Sequence, residues 1–322
     1  MNVSRRTLMA GATALPLVPS LAEAQTRWQM ATPYPDGNFH TRNVQGFLAD
    51  LQGAGVAVQL HSNASLLPMG QIKRGVQTGQ VQLGEILLSA YGNEDPFLEV
   101  DGIPGLVSDF ATAKRLSDLA KPYIEARLQR QGLSLLYMVP WPPGGFYTNA
   151  PLPSLEALRG TKFRTFNVMT NRFATLIGAS PTLVQQAELP QAFATGVVNA
   201  MATSAQTGVD TQAWDYSRVF TPVGFTFTRN AIFVQKRSLD ALPAAAQAAI
   251  RSAAATAETR GWRASEEATA STQATLQQRG MTIAEPTAEL MAGMRRVSAQ
   301  MTEEWLSRTG EDGQKLITAY RA

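Results

Sequence analysis

The sequence predicts an α/β protein built from two similar lobes. Its 322 residues, 44% of them hydrophobic, exceed what one core usually holds, since single cores rarely grow past about 250 to 300 residues. Two stretches, 57–85 and 162–203, repeat one pattern: an alternating strand, a helix that ends in Thr-Gly, and a short strand. The segment 141–154 is rich in proline and glycine and separates the two units as a first crossover.

The individual elements follow from local signals. Gly79 and Gly196 each stand just after a helix pattern, at the position where the backbone φ is positive. A helix is predicted over 109–131, because apolar residues recur at helical spacing, and a buried strand over 133–140. The strand-like run 226–234 is predicted to form a second crossover between the lobes.

The C-terminal part is predicted to be helical. An alanine-rich helix runs from Pro243 to Arg279, a short strand follows, and a second helix covers 287–309. The second helix carries an apolar stripe at spacings of three and four, formed by Leu290, Met294, Val297, Met301 and Trp305. We interpret this stripe as core packing in preference to a binding surface.

The first residues have the pattern of an export signal. A charged start is followed by an apolar stretch, and small residues at Ala22 and Ala24 form a cleavage pattern, so residues 1–24 are predicted to be removed. The adjacent Arg5 and Arg6 favour the twin-arginine route, with ordinary secretion as the alternative. No later segment approaches the length of an apolar membrane span. We therefore expect a periplasmic protein.

Composition excludes several kinds of chemistry. The net charge of +3 and the absence of basic runs argue against nucleic-acid binding. The chain has no cysteine and only two histidines, so we expect no metal site, and no nucleotide-cofactor motif occurs. We expect no cofactor. The local motifs of serine and metal hydrolases are also missing, although a hydrolase assembled from distant residues remains an alternative.

The run Gly160–Asn167 holds the strongest candidate for binding. Period-two alternation places Lys162, Arg164 and Phe166 on one face of a strand that follows the first crossover. An arginine there can present two parallel N–H donors to a carboxylate between the lobes. The alternative is a solvent-exposed charge on an edge strand.

Four runs carry a resemblance to a known family: GQIKRGVQTGQVQLG (70–84), SLEALRGTKFR (154–164), AELPQAFATGVVNA (187–200) and RGMTIAEP (279–286). They resemble the substrate-binding subunits of tripartite ATP-independent periplasmic (TRAP) transporters. Together they extend over nearly the whole chain after residue 24. The resemblance implies a two-lobed periplasmic solute-binding fold with crossing strands and a long connecting helix. Residues 25–147 and about 228–262 would form lobe one, and 148–227 and about 263–322 lobe two.

The resemblance also implies site residues. Arg164 corresponds to the arginine that grips the ligand carboxylate, and Thr203 and Ser204 to a polar ligand-facing position. Asn38 and His40 follow the first strand, where family members place ligand-facing residues; a structural role for His40 is the alternative. A second arginine of sialic-acid-binding relatives corresponds to about Gly144, and this difference puts sialic acid in doubt.

Further candidates come from their positions along the chain. Glu85 and Tyr91 follow a strand of the first lobe, where a buried acid would accept a ligand hydroxyl or pair with Arg164 in an empty site. The aromatic residues Trp141, Phe146, Tyr147 and Trp214 are predicted either to wall the cleft or to pack in the core.

These observations predict a monomeric periplasmic solute-binding protein without enzymatic activity. Its ligand would be a small carboxylate of the hydroxy-, keto- or sugar-acid type, and its partners the membrane subunits of a TRAP transporter. A secreted hydrolase is one alternative. A binding subunit that serves a sensor or another transporter is the second.

Overall fold

The structure is a computed structural model that describes residues 26–51 and 54–322. The predicted export signal, residues 1–24, lies outside the described residues. The strands are β1 (Thr26–Ala31), β2 (Val56–His61), β3 (Leu83–Leu87), β4 (Leu133–Pro140), β5 (Gly144–Thr148), β6 (Lys162–Thr165), β7 (Ser180–Leu183), β8 (Ala200–Ser204), β9 (Val219–Pro222), β10 (Arg229–Gln235) and β11 (Thr282–Ile283). The helices are α1 (Phe39–Asp50), α2 (Met69–Thr78), α3 (Phe110–Arg130), α4 (Val168–Leu176), α5 (Leu189–Ala194), α6 (Ala205–Asp210), α7 (Lys236–Asp240), α8 (Ala244–Gln278) and α9 (Ala288–Arg321).

The strands form two sheets, one in each lobe. The first has the order β2-β1-β3-β10-β4, with β1 parallel to β2 and β3, and β10 antiparallel to β3 and β4. The second has the order β11-β9-β5-β8-β6-β7, with β5 antiparallel to β8 and β9. The two-lobed α/β fold expected from the sequence is confirmed.

The chain crosses between the sheets at two described places. The first crossing is short, residues 141–143, because β5 pairs with β8 and β9 of the second sheet. The predicted lobe boundary after residue 147 lies within β5. The second crossing, 223–228, leads from β9 to β10, and the predicted stretch 226–234 begins in this crossing and continues into β10. Helix α8 packs against β4 of the first lobe and α6 of the second, so it connects both.

The two repeated units differ in length. The first is a simple β2-α2-β3 unit, and Gly79 ends its helix with φ +84° as predicted. In the second unit the single predicted helix is replaced by α4, β7 and α5. The interruption falls at Gly178, which has a φ of +73° and lies just before β7. Gly196, with φ +69°, follows α5 as predicted.

The tail matches the predicted order of helix, short strand and helix. The apolar stripe of α9 packs in the core: Leu290, Met294, Met301 and Trp305 are buried. The helical pattern is interrupted at Gly310, where φ is +61°, and then resumes to Arg321. The predicted end at Thr309 thus marks this interruption instead of the end of the element.

A buried ion pair anchors the start of β10. The Asp101 Oδ2 atom accepts hydrogen bonds from the backbone N and the side-chain Nε of Arg229, both at 2.8 Å. The two side chains are each only 2% exposed. The Asp101 Oδ1 atom and both terminal nitrogens of Arg229 have no hydrogen-bond partner within the described chain. The stability of this ion pair therefore depends on the two hydrogen bonds that Asp101 Oδ2 accepts.

Candidate functional site

A cavity of about 260 Å³ lies between the lobes. Residues from both lobes and both crossings surround it. The main side chains are Tyr34, Met69 and Leu87 from the first lobe, Trp141, Thr226 and Thr228 from the crossings, and Arg164, Phe166, Thr203, Ser204 and Thr207 from the second lobe. The cavity is thus lined by apolar and hydroxyl-bearing side chains around one buried cation.

Arg164 is that cation. It lies on β6 and is only 3% exposed. Its Nε donates to the carbonyl of Val184 at 2.9 Å, and the guanidinium carbon lies 4.8 Å from the centre of the Phe166 ring. Burial lowers the pKa of Arg164 to about 10, so the side chain is still charged at neutral pH. These two contacts fix the plane of the guanidinium group.

No described carboxylate forms an ion pair with Arg164, and its terminal nitrogens make no hydrogen bond within residues 26–51 and 54–322. A charged group that is removed from water without a partner is costly. The arrangement therefore favours a ligand that brings its own negative charge. A planar carboxylate can accept two parallel hydrogen bonds from a guanidinium.

Hydroxyl-bearing side chains line the same cavity as the cation. Thr203 and Ser204 end β8, and Thr226 and Thr228 alternate on the second crossing. The Ser204 hydroxyl accepts a hydrogen bond from the Thr207 backbone at 3.2 Å. The hydroxyls of Thr203, Thr226 and Thr228 make no hydrogen bond in the described part of the chain. They can donate to a ligand or accept from it.

A hydrogen-bonded network supports the first-lobe wall. Glu85 is fully buried and accepts from the Thr32 hydroxyl at 2.5 Å and from the Asn230 side-chain nitrogen at 2.8 Å. The Asn230 oxygen in turn accepts from Trp141 Nε1 at 2.9 Å and from the Tyr34 hydroxyl at 3.2 Å. Glu85 itself does not line the cavity; it supports two residues that do.

Burial shifts two titratable groups of this region in opposite senses. It raises the pKa of Glu85 from 4.5 to about 7, although hydrogen bonds from Thr32 and Asn230 act against this shift. It lowers the pKa of His40 well below 6.5. The His40 Nδ1 atom lies 3.5 Å from Glu85 Oε1, but desolvation dominates for both groups.

Glu85→Gln is expected to stabilise the protein increasingly as pH rises. The wild-type carboxyl holds its proton up to about pH 7 when folded but only to about pH 4.5 when unfolded, so the wild type loses stability as pH rises through this window. His40 has the opposite slope below pH 6.5, because it is neutral when folded, and it is present in both proteins. The difference in unfolding free energy between Glu85→Gln and the wild type should therefore grow by about 3 kcal/mol between acidic and alkaline pH. Urea titrations at several pH values measure it; parallel profiles would contradict the expectation.

Two hydrogen bonds cross the cleft beside the cavity. The Asn38 side-chain nitrogen of the first lobe donates to Asp210 of the second at 2.6 Å. Asp210 also accepts from Gln186 at 3.0 Å and from Gln206 at 2.7 Å. On another side, Asn167 of the second lobe donates to the Ser89 hydroxyl at 2.8 Å. These contacts belong to a state in which the lobes lie close together.

Four of the sequence-predicted residues line the cavity. They are Arg164, Thr203, Ser204 and Trp141. Arg164 and Phe166 both face the cavity, as the period-two pattern predicts, while Lys162 is exposed. Gly144, which stands where some relatives have an arginine, also lines it.

The other aromatic candidates do not line the cavity. Phe146 is buried in the core against Phe173 and Phe225, and Tyr147 packs on Phe220 and donates to the Ser204 carbonyl. Both belong to β5, which lies inside the second sheet with both faces covered. Trp214 lies below the Arg279 guanidinium at 5.1 Å, away from the cavity. Phe146 and Tyr147 thus lie in the core, and Trp214 is half-buried outside the cavity lining.

The polar first-lobe candidates also lie behind the lining. The Tyr91 hydroxyl donates to the carbonyl of Met69 at 2.6 Å. His40 packs among aromatic rings, with Trp141 at 4.5 Å between ring centres, and so has the structural role named as its alternative. Asn38 caps α1 and contacts Asp210. Glu85 does not pair with Arg164, because its hydrogen bonds run to Thr32 and Asn230.

Sequence reasoning missed Tyr34, Thr226 and Thr228 as lining residues. A signal for the threonines exists in the run Thr226-Phe-Thr-Arg-Asn230, where period two puts both threonines and Asn230 on one face. No comparable signal marks Tyr34, because its partner Asn230 is 196 residues away in sequence.

The described residues show neither a metal site nor a membrane span. No group of three or more His, Asp or Glu side chains in this part of the chain could hold a metal ion. None of its helices is both long and apolar enough to cross a bilayer. Two α/β lobes, two crossings and a cavity with a buried cation between them define a solute-binding protein of the periplasmic type.

Comparisons with known proteins identify the family. The model of DctP, bacterial extracellular solute-binding protein, family 7, matches residues 45–309. DctP6 of Bordetella pertussis, an extracytoplasmic solute receptor binding pyroglutamic acid, is 41% identical and superposes with a TM-score of 0.90 over 92% of this chain and 99% of that chain. DctP7 of the same organism, also binding pyroglutamic acid, is 40% identical with a TM-score of 0.91 over 92% and 100%. A TRAP solute-binding protein from a marine metagenome, specific for pyroglutamate, is 31% identical with a TM-score of 0.90 over 92% and 99%.

The chain belongs to the DctP family. It is an extracytoplasmic solute receptor of the TRAP transporter type, a binding protein and not an enzyme. It works in the periplasm with the membrane subunits of such a transporter.

Proposed function

We propose that this receptor captures pyroglutamate and delivers it to TRAP membrane subunits. The observation that carries the proposal is the buried Arg164, a cation to which the described residues provide no carboxylate partner, in a cavity whose other buried lining residues are uncharged. A monocarboxylate supplies the one negative charge that this site lacks. The similar receptors from Bordetella pertussis and the marine metagenome bind this compound.

The remaining lining favours a small, compact acid. Tyr34 and Trp141 offer flat apolar surfaces, and Thr203, Thr226 and Thr228 offer hydroxyls for a ring carbonyl. Glu188, the acidic residue among the lining, is exposed at the edge of the cavity. A ligand of about nine non-hydrogen atoms needs about 8 kcal/mol for micromolar affinity, which lies within the known limit per atom.

Calorimetry with purified protein tests the proposal. L-pyroglutamate is expected to bind with a Kd of about 1 μM or below and to raise the melting temperature. A panel of lactate, pyruvate, glucuronate, succinate and L-proline serves as the comparison. Stronger binding of any panel member than of pyroglutamate would refute the proposed ligand. Turnover of ester or glycoside reporters would favour the alternative of a hydrolase.

We also propose that the lobes close on the ligand about the two crossings, with lobe one formed by residues 26–140, by β10 and α7, and by the first part of α8. Closure removes water from the arginine and carboxylate, which strengthens their attraction. The ligand shifts the equilibrium toward the closed state only by its higher affinity for that state. The Asn38–Asp210 contact would form at the same time, since its two partners lie on different lobes.

Asp210→Ala is expected to weaken pyroglutamate binding about 5- to 30-fold, because a hydrogen bond to a charged group contributes about 1.5 to 3 kcal/mol, part of which Gln186 and Gln206 recover with water. The melting temperature without ligand should change little. Calorimetry and thermal melting measure the two effects, and Asp36→Ala, at an exposed acid, is the matched control. An unchanged Kd would show that the contact does not contribute to closure.

A further inference from the structure

The orientation of one buried amide can be assigned from chemistry alone. The indole nitrogen of Trp141 can only donate a hydrogen bond, and it lies 2.9 Å from the terminal oxygen of Asn230. That atom must therefore be the acceptor, Oδ1. The amide nitrogen then faces Glu85 and donates to Oε1 at 2.8 Å. The Asn230 side chain is held at both ends and cannot flip without losing both bonds.

This orientation determines what the Tyr34 hydroxyl does. The hydroxyl lies 3.2 Å from the same Oδ1 atom, which has no proton, so Tyr34 must be the donor. Its single proton is used in this bond. Tyr34 is among the residues that line the cavity, so a hydrogen bond between its oxygen and a ligand would have to use the lone pairs of that oxygen. The Trp141 N–H, also at the cavity wall, is used in the same way.

We infer that the Glu85–Asn230 pair makes Tyr34 a hydrogen-bond acceptor and thereby selects carboxylates that carry an N–H or O–H donor on the side facing lobe one. The inference rests on the proposed function and deepens it: in pyroglutamate the donor is the ring N–H. Tyr34 contacts the ligand. Asn230 and Glu85 are positioning residues, because they act through the tyrosine.

The requirement for a donor follows from the cost of an unpaired acceptor. If a ligand places its own oxygen lone pairs against the Tyr34 oxygen, two acceptors meet without a proton between them in a water-excluded site. A site built to bond one N–H discriminates strongly against an analogue that lacks it.

The experiment compares L-pyroglutamate with the same enantiomer of 5-oxotetrahydrofuran-2-carboxylate, in which the ring N–H is replaced by oxygen. The two probes have the same shape and charge. For the full-length mature protein, calorimetry is expected to give about 10- to 100-fold weaker binding of the lactone. Tyr34→Phe should bring the ratio of the two Kd values close to one, mainly by weakening the lactam.

Two further variants test the positioning role. Asn230→Ala removes the acceptor for the Tyr34 proton, so the hydroxyl is free to donate into the cavity and the preference should fall or reverse. Glu85→Gln keeps an oxygen for the Asn230 amide and should keep the wild-type ratio. Tyr137→Phe, at a buried tyrosine outside the cavity whose hydroxyl has no partner among the described residues, is the matched control and should also keep it.

The outcomes separate the inference from the proposed function. Equal binding of lactam and lactone by the wild type would overturn the inference and leave pyroglutamate as the ligand. If Tyr34→Phe weakens the binding of lactam and lactone equally, so that the ratio of their Kd values is unchanged, the tyrosine has only a structural role. This result would also overturn the inference. Failure of the wild type to bind either probe would overturn both proposals. If Asn230→Ala does not fold, the Tyr34→Phe ratio decides.

Discussion

Arg164→Ala is expected to raise the Kd for pyroglutamate about 30- to 5,000-fold. The variant leaves a ligand carboxylate buried without its cation, and loss of one partner of a buried charge pair costs about 2 to 5 kcal/mol. The Nε atom of Arg164 already donates to the Val184 carbonyl, which leaves the two terminal nitrogens for the ligand carboxylate. Calorimetry of the variant at concentrations above the expected Kd measures the loss.

Two controls make this result specific to the arginine. Lys162→Ala removes a charge from the same strand at an exposed position and should leave the Kd within about twofold, since exposed charges act weakly. Arg164→Lys keeps the charge but loses the two-point geometry, and it should recover only part of the affinity. A loss of less than threefold in Arg164→Ala would exclude the proposed role.

Asp101→Ala is expected to lower the free energy of unfolding by about 3 to 5 kcal/mol. It leaves the Arg229 guanidinium buried and unpaired, and such an uncompensated charge is strongly destabilising. The terminal nitrogens of Arg229 already have no partner within the described chain, so no other bond replaces the lost one. Urea unfolding of the ligand-free protein, followed by tryptophan fluorescence, measures the effect.

The double variant Asp101→Ala/Arg229→Met distinguishes two causes of the lost stability, the unpaired buried charge and the loss of packing. When both charges are replaced by apolar groups, the desolvation cost disappears, and most of the lost stability should return. Glu304→Ala, which breaks a half-exposed pair with Arg172, should cost no more than about 1 kcal/mol. A double variant as unstable as Asp101→Ala would mean that cavity formation, and not the unpaired charge of Arg229, causes the loss of stability.

Local patterns predicted the parts of the site that depend on one strand. The alternation around Arg164 correctly places this residue and Phe166 on one face, because side-chain direction in a strand follows from its period alone. Resemblance to TRAP receptors added Thr203 and Ser204, which end a strand beside it. The fold followed in the same way from repeated strand and helix patterns, apart from the extra strand at β7.

Errors arose where tertiary packing decides between equivalent faces. Phe146 and Tyr147 follow the first crossing and have the composition of a cleft wall, but β5 is central in its sheet and buries both. Glu85 was expected to meet the ligand or Arg164. Instead it meets Asn230, 145 residues away, a contact that no local pattern encodes.

The lone guanidinium of the cavity has a consequence for how transport stays efficient. Closing the lobes around an unpaired cation is unfavourable in free energy, whereas an anionic ligand offsets this cost. Empty receptors would then stay mostly open, and the closed conformation would indicate that a ligand is bound. Membrane subunits that bind only the closed conformation would thus rarely be occupied by ligand-free receptors.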